Sequence, residues 1–165
     1  MPASVQPAKS FDSATALLNT YAINCRICDY LIRALDGEVW SSPPPGGKGR
    51  NIASIAAHMH NVRLMWLKAC GAGGASPAKL EGDSFSPADA CEALDKSAAA
   101  LSGVIGSALA SDGRIKGFKP DVCAFVGYLI AHDAHHRGQI SMLARQLGHP
   151  ISKSANFGMW EWGTR

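Results

Sequence analysis

The chain has 165 residues, 47% hydrophobic and 18% charged, a balance that fits one well-formed core and excludes a disordered chain. Its net charge of +3 comes from 16 basic and 13 acidic residues. The excess is unclustered and shows no aromatic-basic alternation, so nucleic acid is not expected as a partner.

The N-terminal stretch MPASVQPAKS lacks the apolar core of a signal peptide. The first helix is expected from about Phe11 to Leu35. Ala14, Leu18, Tyr21, Cys25, Cys28, Ile32 and Leu35 follow spacings of three and four, one helical stripe. Gly37 is the expected C′ residue. SSPPPGGKGR, residues 41–50, can be neither helix nor sheet interior. Its Lys48-Gly49-Arg50 reads as solvated linker.

A second helix runs from about Asn51 to Cys70 on Ile52, Ile55, Met59, Val62, Trp66 and Ala69, with Gly71, Gly73 and Gly74 to end it. The third starts at Ser86-Pro87, an N-cap followed by an N1 proline, with Asp89 in the first turn. Its stripe is Cys91, Leu94, Ala98, Leu101, Ile105 and Ala108. The fourth is expected from about Pro120 to Leu147, closed by Gly148 and Pro150. The tail carries Phe157, Trp160 and Trp162 and is expected to dock on the rest.

No segment alternates with period two for long. The fold class is therefore all-α: a four-helix bundle in one domain spanning residues 1–165. The joins between the first three helices are long enough to cross the bundle, so simple up-down order is not required. No window approaches the roughly 18 unbroken apolar residues of a membrane span. Five cysteines, an odd number, suit free thiols in a cytoplasmic setting. Cys25-x-x-Cys28 lies mid-helix on the core stripe and reads as packing rather than a redox pair.

Three of the six histidines crowd into AHDAHHRGQI, residues 131–140. On the fourth helix Val122, Phe125, Leu129, Ile140, Leu143 and Leu147 mark the inward face. His136 lies near its centre and His132 near its edge, so this i, i+4 pair aims at one point. His135 points away. On the second helix His58 falls between Ile55, Val62 and Met65 and points inward, while His60 points elsewhere; His149 reads as loop. Three inward neutral imidazoles make a poor core alone, since each ring brings two nitrogens that need partners. A divalent metal satisfies one nitrogen on each, and three histidines with an open position is a catalytic rather than a closed structural pattern. Nitrogen ligation alone suits zinc, nickel, iron or copper. Asp29, Tyr128, Asp133 and Gln139 are candidates to orient the rings.

The paired motifs IASIAAHMHNVRLMWL and HDAHHRGQISMLARQLG resemble the DinB-like superfamily of bacterial four-helix metalloproteins across the whole chain. The resemblance implies a bundle with a long crossover, often a homodimer, and a metal triad on His58, His132 and His136 that usually holds zinc or nickel. Arg137, Gly138 and Gln139 match the family block in structural roles, Arg137 pairing with an acid and Gly138 allowing close helix contact. Some relatives are S-transferases or isomerases acting with low-molecular-weight thiols such as bacillithiol or mycothiol; many are assigned as metal-dependent hydrolases.

Two chemistries follow. In the first the metal binds a small thiol and delivers it to an electrophile, with Arg63 steering an anionic cosubstrate. In the second the metal activates water. The second usually wants a carboxylate base, and HDAHH lacks the Glu of HExxH, which favours thiol transfer. A non-enzymatic metal-binding stress protein is the third class. Met65 and Trp66 are candidate pocket residues, though their helical spacing suits core equally.

Overall fold

The computed structural model describes residues 10–72 and 76–165. The expectations placed on the first nine residues and on Gly73 and Gly74 lie outside the described residues.

Four long helices form where the periodicity predicts them: α1 (Ser13–Arg33), α2 (Ile52–Ala69), α3 (Pro87–Leu109) and α4 (Val122–Gln146). Each opens on a short polar cap. Asp12, Asn51, Ser86 and Asp121 accept N–H bonds from the first turn of their helices. Ser86 and Asp89 bond reciprocally, a full capping box. All six predicted stripe positions of α3 are buried.

Two ends differ from expectation. α1 stops at Arg33 with Ala34 as its cap, and Gly37 begins a short 3-10 turn capped by Asp36 instead of serving as a left-handed C′ residue. Pro120 lies outside α4, in a two-stranded antiparallel hairpin of β1 (Arg114–Ile115) and β2 (Phe118–Asp121). Gly117 turns this hairpin at a φ of +84° with its Cα close to Ala69, so a side chain there would meet both conformational strain and α2.

α1 and α2 each pack against α3 and α4, which puts α1 and α2 across a diagonal. Two apolar clusters fix the helix directions. One joins Cys28, Leu31 and Ile32 of α1 to the start of α2, the start of α3 and the end of α4. The other joins Tyr21 and Cys25 to Leu67, the end of α3 and the start of α4. The order is therefore up-down-down-up. Segment 34–51 crosses the end of the bundle, and residues 76–86 run back along its length, the long crossover expected from the join lengths. Between the clusters lies a buried polar belt of Asn24, His60, Arg63, Ser97, Asp133 and His136.

The tail forms α5 (Lys153–Gly158). It docks through Ala155 and Gly158; the latter lies so close to the Tyr30 hydroxyl that any Cβ would collide with it. Arg165 closes the turn, its guanidinium 3.9 Å from the Tyr30 ring centre and its Nε donating to the Gly158 carbonyl. The tail thus docks as expected, with Ile151 and Met159 also packed on the core, while Phe157 and Trp160 stay 69% and 77% exposed. No helix among the described residues is long and apolar enough to cross a membrane.

Candidate metal centre

The polar belt opens on one side, where α2 faces α4. There the structure brings His58, His132 and His136 together, with one ring nitrogen from each lying within 4.8 Å of the others. Ring centres of His58 stand 5.4 Å from His132 and 4.8 Å from His136. His136 is buried, while His58 and His132 keep a partly exposed edge, so the cluster faces solvent on one side.

The hydrogen bonds assign the tautomers. Gln139 Nε2 donates to His135 Nε2 at 3.0 Å, which turns Gln139 Oε1 toward His136. His136 Nδ1 then donates to that oxygen at 2.8 Å, leaving its Nε2 as a bare lone pair. His132 Nδ1 faces Asp133 Oδ1 at 3.9 Å, and its Nε2 points the other way. The two Nε2 atoms meet at 3.2 Å. At that distance either His132 donates its Nε2 proton to the His136 lone pair or a cation lies between the two nitrogens. Tetrahedral zinc-type ligation places its nitrogens about 3.3 Å apart, so the spacing fits a divalent cation.

Electrostatics keep the rings ready for one. Burial, the charge of Arg50 and the neighbouring imidazoles lower the His58 pKa to about 4. Burial also lowers His136, against the opposing bond to Gln139. Both are therefore neutral near pH 7, the form that binds metal.

Of the orienting candidates, Gln139 and Asp133 touch the triad and Tyr128 stacks beside His132 with ring centres 6.2 Å apart. Asp29 instead pairs with Arg33 on α1. His135 is exposed and serves only to hold Gln139.

Several expectations are corrected. Arg63 cannot steer a substrate: it is 2% exposed, donating to Asp133 Oδ2 at 2.9 Å and to the Leu94 carbonyl at 2.9 Å. Arg137 pairs with no acid; it donates to Asn24 Oδ1 and Cys28 Sγ. Gly138 is exposed with open space around it, so close helix contact is not its role. Trp66 belongs to an edge-to-face cluster with Phe118, Phe125 and Tyr128, while Met65 is exposed. Cys25 and Cys28 are buried core thiols as expected; burial raises both, Cys28 to about 12, which removes thiolate chemistry near neutral pH.

Sequence reasoning passed over two sets of residues. His60 is fully buried and hydrogen-bonds Ser97 and the Ala78 carbonyl, fastening the crossover to α2. His149 lies between Asp36 and Glu38, its Nδ1 2.8 Å from Asp36 Oδ2 and its Nε2 3.8 Å from Glu38 Oε2, tying the residues after α4 to the 34–51 segment. Arg50 and Lys79 line a cleft with His58. Only their positive charge marks them in the sequence, and both fall in loop.

No curated protein matches the chain. The model of the DinB family matches residues 10–158, which takes in all four long helices, the hairpin, α5 and every residue of the histidine cluster. The four-helix architecture and the HxxxHRGQ block agree with that match over nine-tenths of the sequence, and the chain belongs to the DinB family.

Proposed function

We propose that this DinB-family chain is a metal-dependent enzyme acting with a low-molecular-weight thiol, in S-transfer or isomerisation, through zinc or nickel on His58, His132 and His136. The observation that carries the reading is the cluster itself, one ring nitrogen from each of His58, His132 and His136 within 4.8 Å of the others. A divalent cation held there lowers the pKa of a thiol or water brought to it. Gln139 fixes the tautomer of His136, Asp133 lies 3.9 Å from the far nitrogen of His132, and Tyr128 forms a wall beside His132. No carboxylate belongs to the triad's own cluster, and the nearby Asp133 is engaged by Arg63 and Asn24, which favours the thiol reading over hydrolysis.

The hydrolase reading has one observation in its favour. Glu81, on the crossover, lines the same cleft as His58 and offers the base that HDAHH lacks. Turnover separates the readings. With the metal-loaded protein, an aromatic halide should be consumed only when a small thiol is added, and His136→Ala should abolish it. Ester or phosphoester cleavage in water alone, lost in Glu81→Gln, would move the assignment to hydrolysis. A bound metal with neither activity would leave a metal-binding module.

The five free thiols support a reducing, cytoplasmic setting. A homodimer is proposed through the face carrying Met142, Met159, Trp160 and Trp162, which border an apolar cleft of about 520 Å³. Sedimentation should give a dimer for the wild type and a monomer for Trp160→Asp; a wild-type monomer at high concentration would remove this part of the proposal.

A further inference from the structure

A positive charge beside the histidines remains without a role. Arg50 lines a cleft of about 430 Å³ together with His58, Ser54, Asn61, Lys79 and Glu81. Among the described residues no carboxylate pairs with Arg50.

Lys79 reaches the same cleft from the long crossover, and its backbone is pinned on both sides. The Ala78 carbonyl bonds His60 Nε2 at 2.9 Å. The Leu80 N–H donates to Asn61 Oδ1 at 3.1 Å, and Asn61 Nδ2 donates to the Leu80 carbonyl at 2.8 Å. Asn61 is one helical turn beyond His58, so this clamp sets Lys79 beside the triad rather than leaving it to wander with a loop. The partner of Lys79, Glu81, is 3.8 Å away with both side chains exposed, a pair that holds Lys79 weakly. The cleft thus presents two cations and one loosely engaged carboxylate next to His58 of the triad.

We infer that Arg50 and Lys79 form a subsite for the anionic group of the substrate, a carboxylate or phosphate, whose reacting end lies at the histidines. A guanidinium grips such a group through two parallel N–H bonds, and an ammonium adds a point charge. The excess of positive over negative charge in the lining also draws such a substrate in. The inference names the substrate class for the three-histidine reading, and its catalytic meaning rests on that reading; anion binding itself does not.

The test is calorimetric titration of inorganic phosphate into the full chain, once as purified with metal content measured on the same sample, and once after chelation. Saturable binding is expected in both forms. Arg50→Gln and Lys79→Gln should each weaken it about tenfold, Glu81→Gln should tighten it, and Lys48→Gln should leave it unchanged. His58→Ala should remove metal and keep phosphate. Failure to saturate in both forms, binding only to the metal-loaded form, or wild-type binding in the Arg50→Gln/Lys79→Gln double variant would overturn the subsite. Phosphate binding that depends on Arg50 and Lys79 in a wild type that takes up no metal would uphold the subsite and overturn the metal reading instead.

Discussion

Protein purified without a polyhistidine tag should carry about one zinc or nickel ion per chain, and His58→Ala, His132→Ala and His136→Ala should each lose it. The expectation follows from ligand number. With three protein nitrogens in the cluster, removal of any one leaves two, too few to hold a divalent ion against water and buffer. His135→Ala is the control, since His135 contacts Gln139 and lies on the exposed side of α4. It should keep the metal. Gln139→Leu should fall between, with affinity lower by about 10- to 100-fold, because Gln139 fixes which nitrogen of His136 carries the proton. Elemental analysis gives the stoichiometry, and competition with a chelating dye gives the affinity. A wild type that stays empty after zinc and nickel are added back would mean that the histidines are a polar network, and both enzyme readings would lose their basis.

That ranking of residues was largely legible before any coordinates. His58, His132 and His136 were picked out by angular position alone, because helices of known phase carry their side chains to computable directions. The α3 stripe was legible for the same reason, and Ser86-Pro87 marked its start through a local bond that needs no tertiary context. What stayed hidden was polar and non-local. Arg63 looks like a surface residue on a helical wheel; only the meeting of three helices supplies Asp133, Asn24 and the Leu94 carbonyl that let it be buried. The β1–β2 hairpin is too short for a period-two signal to accumulate. Arg50 and Lys79 sit in segments without periodicity, and their place beside His58 depends on how the crossover is clamped to α2. The apolar tail was rightly expected to dock, but composition does not say which of its residues make the contact: Ile151, Ala155 and Met159 do, while Phe157 and Trp160 stay exposed.

The buried belt also makes a second large effect expected, and it separates stability from metal binding. Asp133 uses its two oxygens differently. Oδ2 takes bonds from Arg63 and Asn24 at 2.9 and 2.7 Å, while Oδ1 faces His132 Nδ1. Burial works against its charge, yet Arg63 and the bonds from His132, Arg63 and Asn24 outweigh burial and hold the pKa at about 2. An unfolded Asp titrates near 3.9. The folded form therefore binds the proton less readily, and the stability this group contributes is full above about 4 and declines as the pH falls toward about 2. Asp133→Asn should remove that dependence and leave the Arg63 charge buried with no counter-charge, at a cost on the order of 3–5 kcal/mol. Urea unfolding should show the midpoint falling with an unchanged slope. The Arg63→Met/Asp133→Leu double variant removes both charges together, and a buried pair exchanged for apolar side chains is often near neutral. It should recover most of the lost stability. Metal affinity should nevertheless stay about 10- to 100-fold low, because His132 has still lost the oxygen that faces its Nδ1. If the double variant were as unstable as the single one, the ion pair would not be the source of the loss. If it bound metal like the wild type, Asp133 would be a partner of Arg63 alone and the orientation of His132 would have to come from its stacking on Tyr128.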